Sequence, residues 1–195
     1  MASRVAAALG FHYLESGALY RLVALAGGDA PARVAAGMDI EFLNERILLF
    51  KQDVTDALRS EAIGVQASEI ARLPAVRSAL LERQRGFRQP PGLVADGRDM
   101  GTVVFPDALL KVFLTASVAT RAQRRYKQLN DKGNHATLAA LSSALEERDK
   151  RDAAREVAPL KPAVDAVSLD SSELTIDEVV DLVLKKYRER TSGKR

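Results

Sequence analysis

Leu93-Val94-Ala95-Asp96-Gly97-Arg98-Asp99-Met100-Gly101-Thr102-Val103-Val104-Phe105-Pro106 opens as a short apolar strand and runs straight into two carboxylates and a guanidinium. Open α/β sheets bind ligands in the crevice beyond the carboxyl ends of their strands, so these charges stand where a phosphorylated ligand would lie. Pro90-Pro91-Gly92, the sharpest break in the chain, fixes where the strand begins.

Downstream, Leu110–Thr115 predicts a second buried strand, 118–131 an Arg-rich helix broken by Lys132-Gly133-Asn134, and Thr137 to about Arg155 another charged helix. Val157–Pro162 reads as extended and Ala166–Asp170 as a third strand. Thr175, with Glu178 three residues on, is a capping box that opens the last helix. Residues 191–195 are expected to form a disordered tail.

Upstream, Ala2–Leu9 predicts a helix stopped by Gly10, Phe11–Leu14 a short strand, and Ser16 an N-cap for a helix from Gly17 to about Ala26. A brief helix over 32–37 precedes Asp39–Leu43 and Arg46–Phe50, which read as a hairpin turning at Asn44-Glu45 with Val54 in a third strand. Helices over 60–73 and from Pro74 to about Phe87 complete this region, because proline is tolerated in the first turn of a helix. Short apolar strands alternating with helices predict a parallel sheet covered on both faces. The segment 31–92 reads as an insertion on that core.

The chain has 195 residues, 47% of them hydrophobic and 28% charged, which suits one compact soluble domain. A net charge of +3 with only 5% aromatic residues favours small phosphorylated ligands over nucleic acid, since single-strand binding needs aromatic stacking platforms. No cysteine is present, which fits a cytoplasmic setting. No run approaches the ~18 apolar residues of a membrane span, and Met1–Gly10 makes no convincing signal peptide, so no membrane partner is expected.

Several side chains carry the candidate chemistry. Arg148, Asp152 and Arg155 recur at four- and three-residue steps, so all three project from one helix face. Two cations flanking a carboxylate can hold a sugar hydroxyl and a phosphate together. Arg21 lies five residues past Ser16, close enough to a helix start to meet a phosphate there. Arg121 and Arg125 are four apart on one helix, and Ser68 and Arg77 sit on amphipathic helices with nothing in their own surroundings to single them out. His12 and His135 fit no metal-ligand spacing.

The run from Asp96 to Pro106, Glu15-Ser-Gly-Ala-Leu-Tyr-Arg21, and Arg148-Asp-Lys-Arg-Asp-Ala-Ala-Arg155 followed by Val-Ala-Pro-Leu closely resemble the bacterial cytidylate kinase family of nucleoside-monophosphate kinases. The resemblance implies a P-loop-type α/β fold with a core formed by 1–30, 93–132 and 156–190. It further implies a monophosphate-binding insertion at 31–92 and a lid at 133–155. It implies transfer of a phosphoryl group from ATP to CMP or dCMP with Mg²⁺, in a cytoplasmic monomer of pyrimidine metabolism.

By the same resemblance Arg21, Arg98 and Arg155 clamp the acceptor phosphate and are expected to converge on one small dianion. Ser68, Arg77 and Asp99 read cytosine, Arg148 and Asp152 hold the sugar, and Ser16 helps hold the nucleotide. Arg121, Arg125 and Arg151 reach ATP, Arg98, Arg151 and Arg155 are the catalytic cations, and Asp96 points to the Mg²⁺ water shell. Glu15 departs mildly from the family's Asp, and Gln66-Ala-Ser-Glu-Ile70 differs from its Ala-Ala-Ser-Gln-Val while keeping the serine.

One departure is larger. The family begins with a central strand and a Gly-rich Lys-Thr phosphate loop, and neither precedes Met1 here. The expectation is therefore an incomplete version of the enzyme, through a misplaced start, a shortened chain or a natural truncation. The alternative to phosphoryl transfer is then a catalytically impaired chain that binds CMP but not ATP; either way the strands at 93 and 110 are expected to lack the partner between them.

Overall fold

The computed structural model describes residues 1–43, 46–131, 136–154 and 160–193. The chain divides into two compact units, one made of Ala2 and residues 6–97, the other of Met1, residues 3–5 and residues from Arg98 onward. The division falls inside the Asp-Gly-Arg-Asp run, whereas the expected insertion spanned 31–92.

Helix α1 (Ala2–Leu9) ends at Gly10, whose φ of +65° is the left-handed conformation that glycine adopts without a Cβ penalty. In the first unit β1 (His12–Glu15) passes directly into α2 (Ser16–Ala26). Then follow α3 (Pro31–Gly37), the strands β2 (Ile40–Leu43), β3 (Arg46–Leu49) and β4 (Gln52–Asp53), and the helices α4 (Thr55–Leu58), α5 (Glu61–Ile70) and α6 (Pro74–Gly86). Strand β5 (Leu93–Asp96) closes the unit by pairing parallel to β1, His12 opposite Leu93 through Glu15 opposite Asp96. Leu14 of β1, Leu19, Leu22 and Val23 of α2, and Val76 and Leu80 of α6 are fully or almost fully buried. Each such side chain contributes about 1.5–3 kcal/mol by leaving water. The functional ends of β1 and β5 therefore rest on a packed base.

The expected hairpin forms as an antiparallel β2–β3 pair, and its third strand is β4, which ends one residue before Val54. The turn into β4 places Phe50 and Lys51 at φ +49° and +67°. Neither is a glycine or asparagine, so this tight turn carries a left-handed cost of about 1–2 kcal/mol per residue. Lys51 offsets part of it through ion pairs to Glu41 and Asp39. Helix α4 was not foreseen, because four residues give too short a periodic pattern to read.

In the second unit a π-helical turn at Met100–Val104 leads to β6 (Val112–Thr115), α7 (Val118–Asn130), α8 (Leu138–Ala153), β7 (Val167–Asp170) and α9 (Ile176–Ser192). Strands β6 and β7 pair in parallel, Val112 opposite Val167 through Thr115 opposite Asp170. Ser117 and Thr137 accept from Thr120 N and Ala140 N at 3.1 and 3.2 Å, and the Thr175–Glu178 capping box is present.

The parallel strands form two separate ladders, and among the described residues β5 pairs only with β1 and β6 only with β7. Two expectations need correction. Ser16 does not cap α2. It is the first helical residue, while Glu15 occupies the N-cap position without a side-chain cap bond, because strand runs into helix with no intervening turn residue. Helix α9 runs two residues into the stretch expected as tail, continuing through Ser192 with the Thr191 hydroxyl donating to the Tyr187 and Arg188 carbonyls.

Candidate functional site

At the carboxyl ends of β1 and β5 the parallel register sets Glu15 beside Asp96. Tyr13, two residues back on the same strand, donates its hydroxyl to Asp96 Oδ2 at 2.9 Å. Burial first, and then the Asp96 charge, push the Tyr13 hydroxyl far above its ordinary range, so it serves as a fixed donor. Burial, followed by the neighbouring Asp96 charge, also raises the Glu15 carboxyl, while Arg21 and Arg59 pull it the other way. Ser16 lies at this same end, only 3% exposed. Two carboxylates and two guanidiniums thus share the mouth of the ladder.

This crowding has a pH consequence. Unfolded Glu15 loses its proton near pH 4.5, whereas the folded chain holds that proton to a higher pH. Between those two values the folded state binds more protons, so stability contributed by protonated Glu15 falls as pH rises above about 4.5. A Glu15→Gln chain is expected to gain thermal stability over the parent from weakly acidic pH upward, with the gap opening across that window. Melting curves from pH 4 to 8 check it, and parallel profiles for the two chains would rule it out.

Arg21 emerges from α2 and donates through Nη1 to the Leu58 carbonyl at 2.6 Å and the Ser60 carbonyl at 3.3 Å. It therefore rests where α4 ends and α5 begins, and Ser60 caps α5 by accepting from Ile63 N. Arg77, near the start of α6, donates to the carbonyl of Ala71 at 3.3 Å. Ala71 is the C-cap of α5 and lies three residues beyond the half-buried Ser68.

In the second unit Arg98, Asp152 and Arg148 come together. Arg98 Nε donates to Asp152 Oδ2 at 2.8 Å, and Arg148 Nε lies 4.0 Å from the same oxygen. The Asp152 side chain is 2% exposed and that of Arg98 38%, so the pair is sealed on one side only. Asp99 is buried as well, and its carbonyl oxygen accepts from Val103 N at 2.9 Å and Val104 N at 3.2 Å. The widened π-helical turn thus fixes the backbone at Asp99 while burying Met100, Val104 and Phe105. Gly101 leaves room for the Lys111 stem, which a Cβ there would meet at 3.2 Å. Lys111 in turn donates to the Pro106 carbonyl at 2.6 Å and to Asp165 at 2.9 Å, tying this run to the β6–β7 ladder.

The helix arginines divide. Arg121 is held by Asp149 through two hydrogen bonds of 2.9 and 2.5 Å and donates Nε to the Ala116 carbonyl, a fork-to-carboxylate pair joining α7 to α8. Arg124 binds the Ser171 and Leu174 carbonyls at 2.5 and 3.0 Å and anchors the loop after β7. Arg125 is half-buried, and Arg151 is exposed with Nε on the Glu147 carbonyl. Arg155 and His135 lie outside the described residues, and Arg21 and Arg98 belong to different units. The expected convergence of three guanidiniums is therefore not part of the described geometry.

Tyr13, Arg59 and Asp149 escaped the sequence reading. Tyr13 at least had a signal, since the strand period places it on the face of Glu15. Among the described residues no three His, Asp or Glu side chains gather to hold a metal directly. Glu15 and Asp96 are hard oxygen donors placed side by side, which suits Mg²⁺ bound through its own waters. Among the described residues no helix is long and apolar enough to cross a membrane.

A family model described as cytidylate kinase matches residues 1–189. Relatives named cytidylate kinase include one from Ralstonia pickettii, 57% identical over 97% of this chain and 86% of its own length. Another from Chromobacterium violaceum is 53% identical over 99% and 91% respectively. A third, from Cupriavidus necator, is 55% identical over 96% and 88%.

Proposed function

The chain belongs to the cytidylate kinase family, a family of phosphotransferases acting on nucleoside monophosphates, and on that premise we propose that it transfers the γ-phosphoryl group of ATP to CMP or dCMP. The observation that carries this reading is the meeting of Arg98, Asp152 and Arg148 around one carboxylate oxygen beside buried Asp99, from segments about 50 residues apart in the chain. Arg98 is a phosphate ligand in this reading, and Asp152 with Arg148 a sugar clamp. An incoming acceptor phosphate competes with Asp152 for the Arg98 guanidinium and frees the carboxylate for a sugar hydroxyl. Asp99 accepts from the exocyclic amine of cytosine, which uracil lacks. Ser68 of α5 and Arg77 of α6 are the further cytosine readers, Ser16 supports the nucleotide, and Arg21 of α2 is a ligand of the acceptor phosphate. Arg155 completes the clamp.

On the donor side the exposed Arg151, and with it the half-buried Arg125 of α7, are ATP-phosphate ligands in this reading. Arg121 reaches them only by exchanging Asp149 for a phosphate, which the same fork geometry allows. Asp96 and Glu15 would hold the water shell of Mg²⁺, which neutralises charge on the phosphates when bound. No covalent intermediate is needed, because positioning and charge neutralisation carry phosphoryl transfer. Segment 133–155 acts as a lid that excludes water from the transferring group. The setting this implies is a cytoplasmic monomer in pyrimidine nucleotide metabolism.

An acceptor panel tests the reading. With ATP and Mg²⁺, CMP and dCMP are expected to be converted to diphosphates in clear preference to UMP and AMP. Equal or better use of UMP or AMP would overturn it.

A further inference from the structure

Gly64 stands inside α5, four residues beyond the Ser60 cap, where glycine is a poorer helix former than alanine. Nothing in its own backbone requires glycine, since it sits in a regular helix. What requires it is Arg21. A Cβ at position 64 would lie 3.0 Å from Arg21 Nη2, 3.4 Å from Nη1 and 3.5 Å from Cζ. Three atoms of one planar group at nearly equal range mean that the guanidinium lies across the bare Cα. Its Nη1 is held from the side by the Leu58 and Ser60 carbonyls, so the resting place has a floor and one wall.

We propose that Gly64 is a positioning residue, whose missing side chain forms the seat that sets where the Arg21 guanidinium meets the acceptor phosphate. This rests on the reading of Arg21 as a phosphate ligand. A methyl group at 64 would lift the guanidinium by a few tenths of an ångström, because closer carbon–nitrogen contacts than these are repulsive. The charge would remain, but its alignment to the 2.6 Å Leu58 bond and to the phosphate would be lost. Ordinary helix–helix packing is the competing explanation for a small residue here, and it makes a different prediction. A packing role costs stability regardless of ligand, whereas a seat for Arg21 costs only affinity for the phosphate.

The experiment is calorimetric titration of the full chain with CMP and with cytidine, for the parent, Gly64→Ala, Arg21→Ala and the double variant, with melting temperatures alongside. Gly64→Ala is expected to weaken CMP binding about three- to tenfold, as for a misaligned charged hydrogen bond. Cytidine binding and the melting temperature should hold or improve, and the effect should vanish in the Arg21→Ala background. Unchanged CMP affinity in Gly64→Ala, equal loss for CMP and cytidine, or an effect that persists without Arg21 would overturn the proposal. If Arg21→Ala itself leaves CMP affinity intact, the phosphate-ligand reading fails and the seat fails with it. If Arg21→Ala is damaging and Gly64→Ala silent, only the seat is lost.

Discussion

Replacing Asp152 with alanine is expected to damage both stability and turnover more than any other single change at the site. Its carboxylate is almost fully buried, receives Arg98 Nε at 2.8 Å, and has Arg148 at 4.0 Å. Breaking one partner of a fully buried ion pair costs about 3–5 kcal/mol. The Arg98 side chain is 38% exposed and its orphaned charge finds water, so the expected loss is about 2 kcal/mol. Urea denaturation measures it as a lower midpoint at unchanged slope. On turnover, the loss of a charged hydrogen bond to the sugar and of the brace on Arg98 should lower kcat/KM for CMP about 100-fold. Asp152→Asn keeps the shape and should recover most of the stability but little of the activity. An Asp152→Ala chain with parental midpoint and parental kcat/KM would remove Asp152 from both roles.

The second large effect is expected on selectivity. Asp99→Ala should change selectivity more than folding, because the Asp99 carbonyl oxygen that organises the turn is retained. The ratio of kcat/KM for CMP over UMP should fall about 10- to 100-fold, the worth of one charge-assisted hydrogen bond. Asp99→Asn sharpens the test. An amide both donates and accepts, so UMP use should rise in absolute terms rather than only relative to CMP. An unchanged CMP-to-UMP ratio in both variants would assign base recognition elsewhere.

Much of this architecture was legible because its signals are local. Pro90-Pro91-Gly92 announced β5, the Thr175–Glu178 pair announced α9, and the 148–152 step placed a carboxylate and a guanidinium on one face, where they are found. What escaped reading depends on contacts far apart in sequence. The Tyr13 bond to Asp96 spans 83 residues, and the Arg121 pair with Asp149 spans 28. Gly64 illustrates the limit most sharply, since its reason lies in a side chain 43 positions away whose direction no periodicity encodes. Ser16 failed for the opposite reason. Its residue type suited a cap, but the continuous passage from β1 into α2 shifted the helix start by one residue. Arg121 looked free because charge spacing on α7 alone carries no information about α8.

The Arg121–Asp149 fork also limits what α8 can do. Asp149 sits near the carboxyl end of that helix, and two parallel hydrogen bonds resist both sliding and twisting at that point. Any swing of the helix is then that of a lever with its fulcrum close to one end, small near residue 149 and largest near Leu138. Side chains just past the fulcrum, Asp152 among them, would hardly travel, while the far end sweeps an arc.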